Sequence, residues 1–193
     1  MRLKLLQSDV SALSRVWPKM RRDFHGSELI PKIYLRRALR KDAYDLFLLT
    51  DESGAERGYA VVNPRSLYGY VLLLYIGVEP ELRDRGLGGE LLRLLTGRYR
   101  EKQGMLVELT HVPGDEADLD RRRKFYYRAG FVDVPCVYNL FGLDCGLMCR
   151  GLSGTADIGE VAPFVIRDLY GRNMPEAMVE RFIKIGKLRG EIL

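Results

Sequence analysis

The chain has 193 residues, of which 47% are hydrophobic and 30% charged, a balance that excludes a mainly disordered chain and fits one sizeable core. Its longest apolar run, Val71 to Val78 with Gly77 counted, falls well short of the ~20 residues a membrane helix needs, so no membrane partner is expected. The formal charge of +5 is local: residues 1–43 hold eleven Lys or Arg against four Asp or Glu.

Those basic residues (Arg15, Lys19, Arg21, Arg22, Lys32, Arg36, Arg37, Arg40, Lys41) stand at spacings that coat the outer faces of helices. No nucleic-acid module accompanies them, so nucleic acid is not the expected partner, although a positive mouth would attract an anionic ligand. Met1–Leu6 meets Gln7-Ser8-Asp9 at once and lacks the apolar stretch of a secretory signal. Three cysteines (Cys136, Cys145, Cys149) are too few and odd in number for a disulfide framework, and their spacing matches no zinc pattern, so no metal is expected. They read as small buried hydrophobes in a cytoplasmic protein.

In chain order, residues 2–6 read as a strand. Ser8 or Asp9 caps a helix carrying Leu13, Val16, Trp17 and Met20, which Pro18 should break or kink. A second helix is predicted over 27–41. Residues 44–63 read as a hairpin around Asp51–Gly54. The run 71–78 has no polar alternation and reads as a strand buried on both faces. A glycine-rich turn leads into a helix over 87–102, closed by Gln103-Gly104. Then come a strand over 105–110, a polar loop, a short helix over 119–129, a strand over 131–138 interrupted by Pro135, and its partner over 143–150. Gly151 to Thr155 reads as a turn, and two helices follow, the second from Pro175 to Leu188. The order predicts an α+β (mixed α/β) chain on a single central mixed, mostly antiparallel sheet flanked by helices, with a domain over 1–150 and a helical extension over 151–193 packed on it.

The segment Val78-Glu79-Pro80-Glu81-Leu82-Arg83-Asp84-Arg85-Gly86-Leu87-Gly88-Gly89 joins a buried strand to an amphipathic helix. Glycines allow close backbone approach, and free amides at a helix start attract an anion such as a pyrophosphate. A Walker A end is absent, and the dinucleotide spacing is wrong. The pattern Arg83-x-x-Gly86-x-Gly88 resembles motif A of the GCN5-related N-acetyltransferase (GNAT) superfamily. Phe125-Tyr126-Tyr127-Arg128-Ala129-Gly130-Phe131, about forty residues on, resembles motif B of the same superfamily. The resemblance covers roughly residues 1–140.

The resemblance implies a GNAT-like acyl-CoA acyltransferase fold and an acetyl-CoA-dependent N-acetyltransferase. Acetyl-CoA as co-substrate would sit where the fourth and fifth strands splay apart. Val78 would pair with the pantetheine arm, the Ile76 N–H would face the thioester carbonyl, and Arg83, Asp84, Arg85, Gly86, Leu87, Gly88 and Gly89 would hold the pyrophosphate. Tyr126 matches the tyrosine placed near the CoA sulfur as general acid; its alternative is to pack the short helix. Glu108 is the first candidate for the base or for an acceptor ligand, with Glu79 and His111 behind it. Tyr75 would line the acceptor pocket or the core. The acceptor is an amine on a small molecule or a protein, and a homodimer is compatible with the family. The alternative is a non-catalytic CoA-binding or sensor module of the same fold.

Overall fold

The computed structural model describes residues 2–153, 158–174 and 176–185. They form two compact units, Met1–Pro64 with Leu73–Tyr99 and Arg65–Leu72 with Arg100–Leu193.

The first unit opens with β1 (Lys4–Ser8), two residues later than expected. The Asp9 carboxylate then accepts the Ser11 N–H at 2.7 Å and starts a 3-10 turn that runs into α1 (Leu13–Asp23). Pro18 does not end this helix. Leu13, Val16 and Met20 are fully or nearly fully buried. Each contributes about 1.5–3 kcal/mol, which together exceeds the ~3 kcal/mol an interior proline costs. The second helix is shorter than predicted, because Pro31 fixes its start: α2 spans Lys32–Arg40, and only a 3-10 turn precedes it. The hairpin is as expected, with β2 (Asp45–Thr50) antiparallel to β3 (Glu56–Asn63) and to β1. Strand β4 (Tyr70–Val78) is buried in its first half, but Ile76, Gly77 and Val78 are only half-buried. The strand order here is β1-β2-β3-β4. Leu13, Val16, Met20, Leu35, Leu46, Tyr59, Val61 and Tyr75 share one core.

Helix α3 spans Leu87–Arg98, four residues shorter than its pattern suggested. Tyr99 ends it. Its hydroxyl donates to Asp45 at 2.5 Å and its ring meets Phe47 edge-on, so the chain turns toward β2 rather than winding on. Gly104 consequently opens a strand instead of capping the helix.

The second unit contains β5 (Gly104–His111), α4 (Glu116–Arg128), β6 (Val132–Leu140), β7 (Leu143–Gly151), α5 (Ala162–Gly171), α6 (Glu176–Phe182) and β8 (Ile183–Ile185). Strand order is β5-β7-β6-β8, antiparallel throughout. Pro135 does not stop β6; it is absorbed by a register shift between Val134 and Val137. The expected helix to Leu188 ends at Phe182, where Ile-Lys-Ile alternates with the period of a strand and pairs with Leu140, Asn139 and Tyr138. Pro175, residues 154–155 of the expected turn and 186–188 of the expected helix lie outside the described residues. The three cysteines are buried and are joined in no disulfide among the described residues. Among the described residues, no helix is long and apolar enough to cross a membrane.

Candidate active site

The glycine-rich turn lies in the first unit. After β4, Pro80–Leu82 form a 3-10 turn, Arg83 is extended, Asp84 has φ +59°, and Gly86 caps α3 in the left-handed region at φ +81°. Only glycine takes that conformation without strain. The first-turn amides of Leu87, Gly88 and Gly89 have no acceptor within the helix, and no side chain caps them. A Cβ at Gly86 or Gly89 would meet nothing within 4 Å, so the space above the helix start is open. Arg83, Asp84, Arg85, Gly86 and Gly89 are exposed, while the Leu87 side chain is buried and anchors the turn. Open amides, the dipole of a twelve-residue helix and the exposed Arg85 suit a pyrophosphate. The residues present therefore fit the phosphates of coenzyme A.

Arg83 is committed elsewhere. Its guanidinium donates to Asp23 at 2.6 Å. The Asp23 carboxylate, 6% exposed, also accepts from Arg22 and, at 3.0 Å, from the Tyr59 hydroxyl. Burial, with Asp23 beside it, pushes the Tyr59 phenol well up. The Tyr59 ring lies under Gly77 so closely that a Cβ there would come within 2.6 Å of it. The turn is thus tied to the C-terminal end of α1. Glu79 joins the same network, 2.7 Å from Lys19 and 3.0 Å from Arg22, and Lys19 also reaches Glu56. Burial pushes the Glu79 carboxyl up, but Lys19 and Arg22 prevail and hold it below the usual range, which suits an ion pair better than a base. The Tyr75 hydroxyl donates to Glu28 O and accepts from Ile30 N–H, within the core.

In the second unit, Tyr126 is the buried residue of α4, edge-on to Phe125 and Phe131 with ring centroids 5.1 and 5.4 Å away. Burial pushes its phenol up to about 12, with Arg122 pulling weakly the other way. Among the described residues its hydroxyl has no hydrogen-bond partner. Tyr127 is exposed and bonds Asp133. Glu108 lies in the middle of β5, and the residue as a whole is half-buried. The Tyr138 hydroxyl on β6 donates to its Oε1, and the Tyr170 hydroxyl on α5 lies 2.8 and 2.7 Å from its two oxygens. Desolvation raises the Glu108 carboxyl, and the two tyrosines pull it partway back. His111 is exposed, 3.6 Å from Glu116.

Sequence reasoning missed Asp23, Tyr59, Tyr138 and Tyr170. None belongs to a motif, and their partners lie 30 to 62 residues away in the chain.

Residues 42–133 match the family model described as the acetyltransferase (GNAT) domain. A protein from Desulfovibrio desulfuricans described as a GNAT-family acetyltransferase superposes with a TM-score of 0.62 at 20% identity, covering 79% of this chain and 100% of its own. One from Bacteroides thetaiotaomicron gives 0.68 at 18% identity, covering 85% and 96%. A spermidine N-acetyltransferase chimera of Vibrio cholerae SpeG and hSSAT gives 0.60 at 14% identity, covering 79% and 97%. A search of curated proteins finds no match. The fold is the mixed α/β one expected, a single mixed sheet flanked by helices, as in GNAT acetyltransferase structures. Over residues 42–133, just under half of the chain, the sequence is thus similar to the acetyltransferase (GNAT) domain, and the solved structures share its fold.

Proposed function

We propose that the protein transfers an acetyl group from acetyl-CoA directly to a primary amine. The observation that carries this is the start of α3: a left-handed Gly86, uncapped amides at Leu87–Gly89 and nothing within 4 Å of a Cβ at Gly86 or Gly89. Main-chain donors there, with Arg85, would hold the pyrophosphate. Arg83 would act from behind, fixing the turn through Asp23. Val78 and Ile76, in the half-buried end of β4, are assigned to the pantetheine arm and to the thioester carbonyl; a main-chain N–H aimed at developing negative charge is the donor such a reaction needs.

When bound, acetyl-CoA supplies the activated acyl group. The chain's own residues then have two proton tasks. Glu108 takes the proton of the acceptor ammonium, so an N–H bond breaks and a carboxyl O–H forms. Its raised affinity for a proton suits it to that task. Tyr126 gives its proton to the leaving sulfur; with its phenol pushed up to about 12, it is protonated at neutral pH and available as a donor. Glu108 with two phenols also favours a cationic acceptor, and an enzyme of this fold that acts on spermidine is compatible with an alkyl amine. Three buried thiols outside any disulfide suit a reducing, cytoplasmic setting. The catalytic domain is assigned to 1–150, with 151–193 as an extension of it.

The test is calorimetry with acetyl-CoA together with CoA release on an amine panel. Tyr126→Phe should lower kcat about 10²-fold or more with CoA affinity unchanged. Heat with coenzyme A but no turnover of any amine would favour a binding module. No heat with folded protein at millimolar coenzyme A would sink both readings.

A further inference from the structure

The family match ends at residue 133, yet one of the closest contacts made by the candidate base comes from beyond it. Tyr170 sits in the last turn of α5, whose inward face of Ala162, Val165, Ile166 and Leu169 is fully buried. That packing delivers the phenol to Glu108, where its oxygen spans both carboxylate oxygens at 2.8 and 2.7 Å. Tyr138 on β6 also donates to Oε1, so two elements hold the carboxylate. On β7, the residue paired with Glu108 is Leu147, and Cys145 lies beside Tyr138. Among the described residues, no Lys, Arg or His reaches the Glu108 carboxylate.

We infer that Tyr170 is a positioning residue: α5 places its hydroxyl on Glu108 to fix the carboxylate and set the pH at which it becomes a base. The inference rests on the assignment of Glu108 as the base. It gives the C-terminal segment a task within the reaction. A phenol donating to a carboxylate stabilises the ionised form. The proton removed from the acceptor goes to Glu108, and the Tyr170 O–H remains a donor throughout.

The experiment pairs two readouts on the full-length protein. Infrared difference spectra against Glu108→Gln titrate the Glu108 carboxyl without any turnover, and the pH dependence of kcat/KM follows catalysis. A hydrogen bond to a charged group has the strength to move a titration by about one to two pH units. Tyr170→Phe should therefore shift both the infrared midpoint and the acid limb upward by that amount. Replacing Tyr170 by 3,5-difluorotyrosine keeps the shape, strengthens the donor and should shift both downward; it decides the matter should the Phe variant not fold. Folded variants whose midpoint and acid limb both stay put would overturn the inference. A midpoint that moves while the acid limb does not would overturn the catalytic role. A midpoint that moves in a protein that turns over no amine would uphold the coupling and defeat only the acetyltransferase reading.

Discussion

Gly86 is where one residue type is demanded most sharply. Its φ of +81° lies in the left-handed region, and a Cβ there would meet nothing, so any substitution is penalised through the backbone alone. Gly86→Ala should cost about 1–2 kcal/mol. For a chain of this length that lowers Tm by about 2–8 °C. Because the same strain tilts the amides of Leu87–Gly89, coenzyme A affinity should fall as well, measurable by calorimetry beside the melt. A loss of stability with unchanged affinity would remove this turn from the cofactor site. Gly86 was legible in the sequence because a motif places glycine at a fixed distance from Arg83. The direction of the Arg83 side chain was not: its acceptor, Asp23, is 60 residues away and becomes a neighbour only once α1 is docked. Glu108 was legible as a carboxylate in an apolar strand, whereas Tyr170 had neither motif nor spacing to mark it.

At the level of elements, α1 is held to the strands by charge as well as by its apolar stripe. Glu79 joins Lys19 and Arg22 with its side chain 14% exposed, and Lys19 in turn reaches Glu56. Removing Glu79 leaves two partly buried cations with less compensation, a larger loss than an exposed pair would give. Glu79→Ala should destabilise by about 1–3 kcal/mol, read as a shift in denaturant midpoint at constant m. Glu79→Gln should recover part of it by keeping one accepting oxygen for Lys19 or Arg22. A midpoint unchanged in both would make this network a surface ornament of α1. Periodicity gave the existence of nearly every element, since each buries one stripe or face. The ends were harder because tertiary contacts set them. Tyr99 stops α3 by bonding Asp45, Pro31 delays α2, and the pairing of Ile183–Ile185 with β6 turns an expected helix into a strand. Pro18 shows the opposite case, in which burial overrides a local breaker.

The molecule as a whole carries two opposed sets of carboxyl groups, and their balance dictates how stability follows pH. In one set, hydrogen bonds and nearby cations win. Ser53 and Arg57 hold Asp51 down to about 2, Arg93 holds Glu90 below its usual range, and Glu56 and Glu79 are held there by Lys19 with Arg15 or Arg22 despite partial burial. For these groups the unfolded chain binds protons more readily between the lowered values and the ordinary 3.8 to 4.5, so stability rises with pH through that window and is lost as pH falls. Glu108 is the reverse. Burial raises its proton affinity above the ordinary 4.5, so the native state binds the proton more tightly, and stability declines as pH climbs from that value through the raised one. Calorimetric melts from pH 2 to 8 should show Tm rising to a maximum near the ordinary carboxylate range and then declining modestly. Glu108→Gln, which cannot ionise, should abolish the decline and leave the acid limb intact. Glu79→Gln should flatten the acid limb and leave the decline. A wild-type Tm that keeps rising to neutral pH, with Glu108→Gln superimposable on it, would mean that Glu108 ionises as an ordinary carboxylate, and the base proposed for the reaction would lose its tuning.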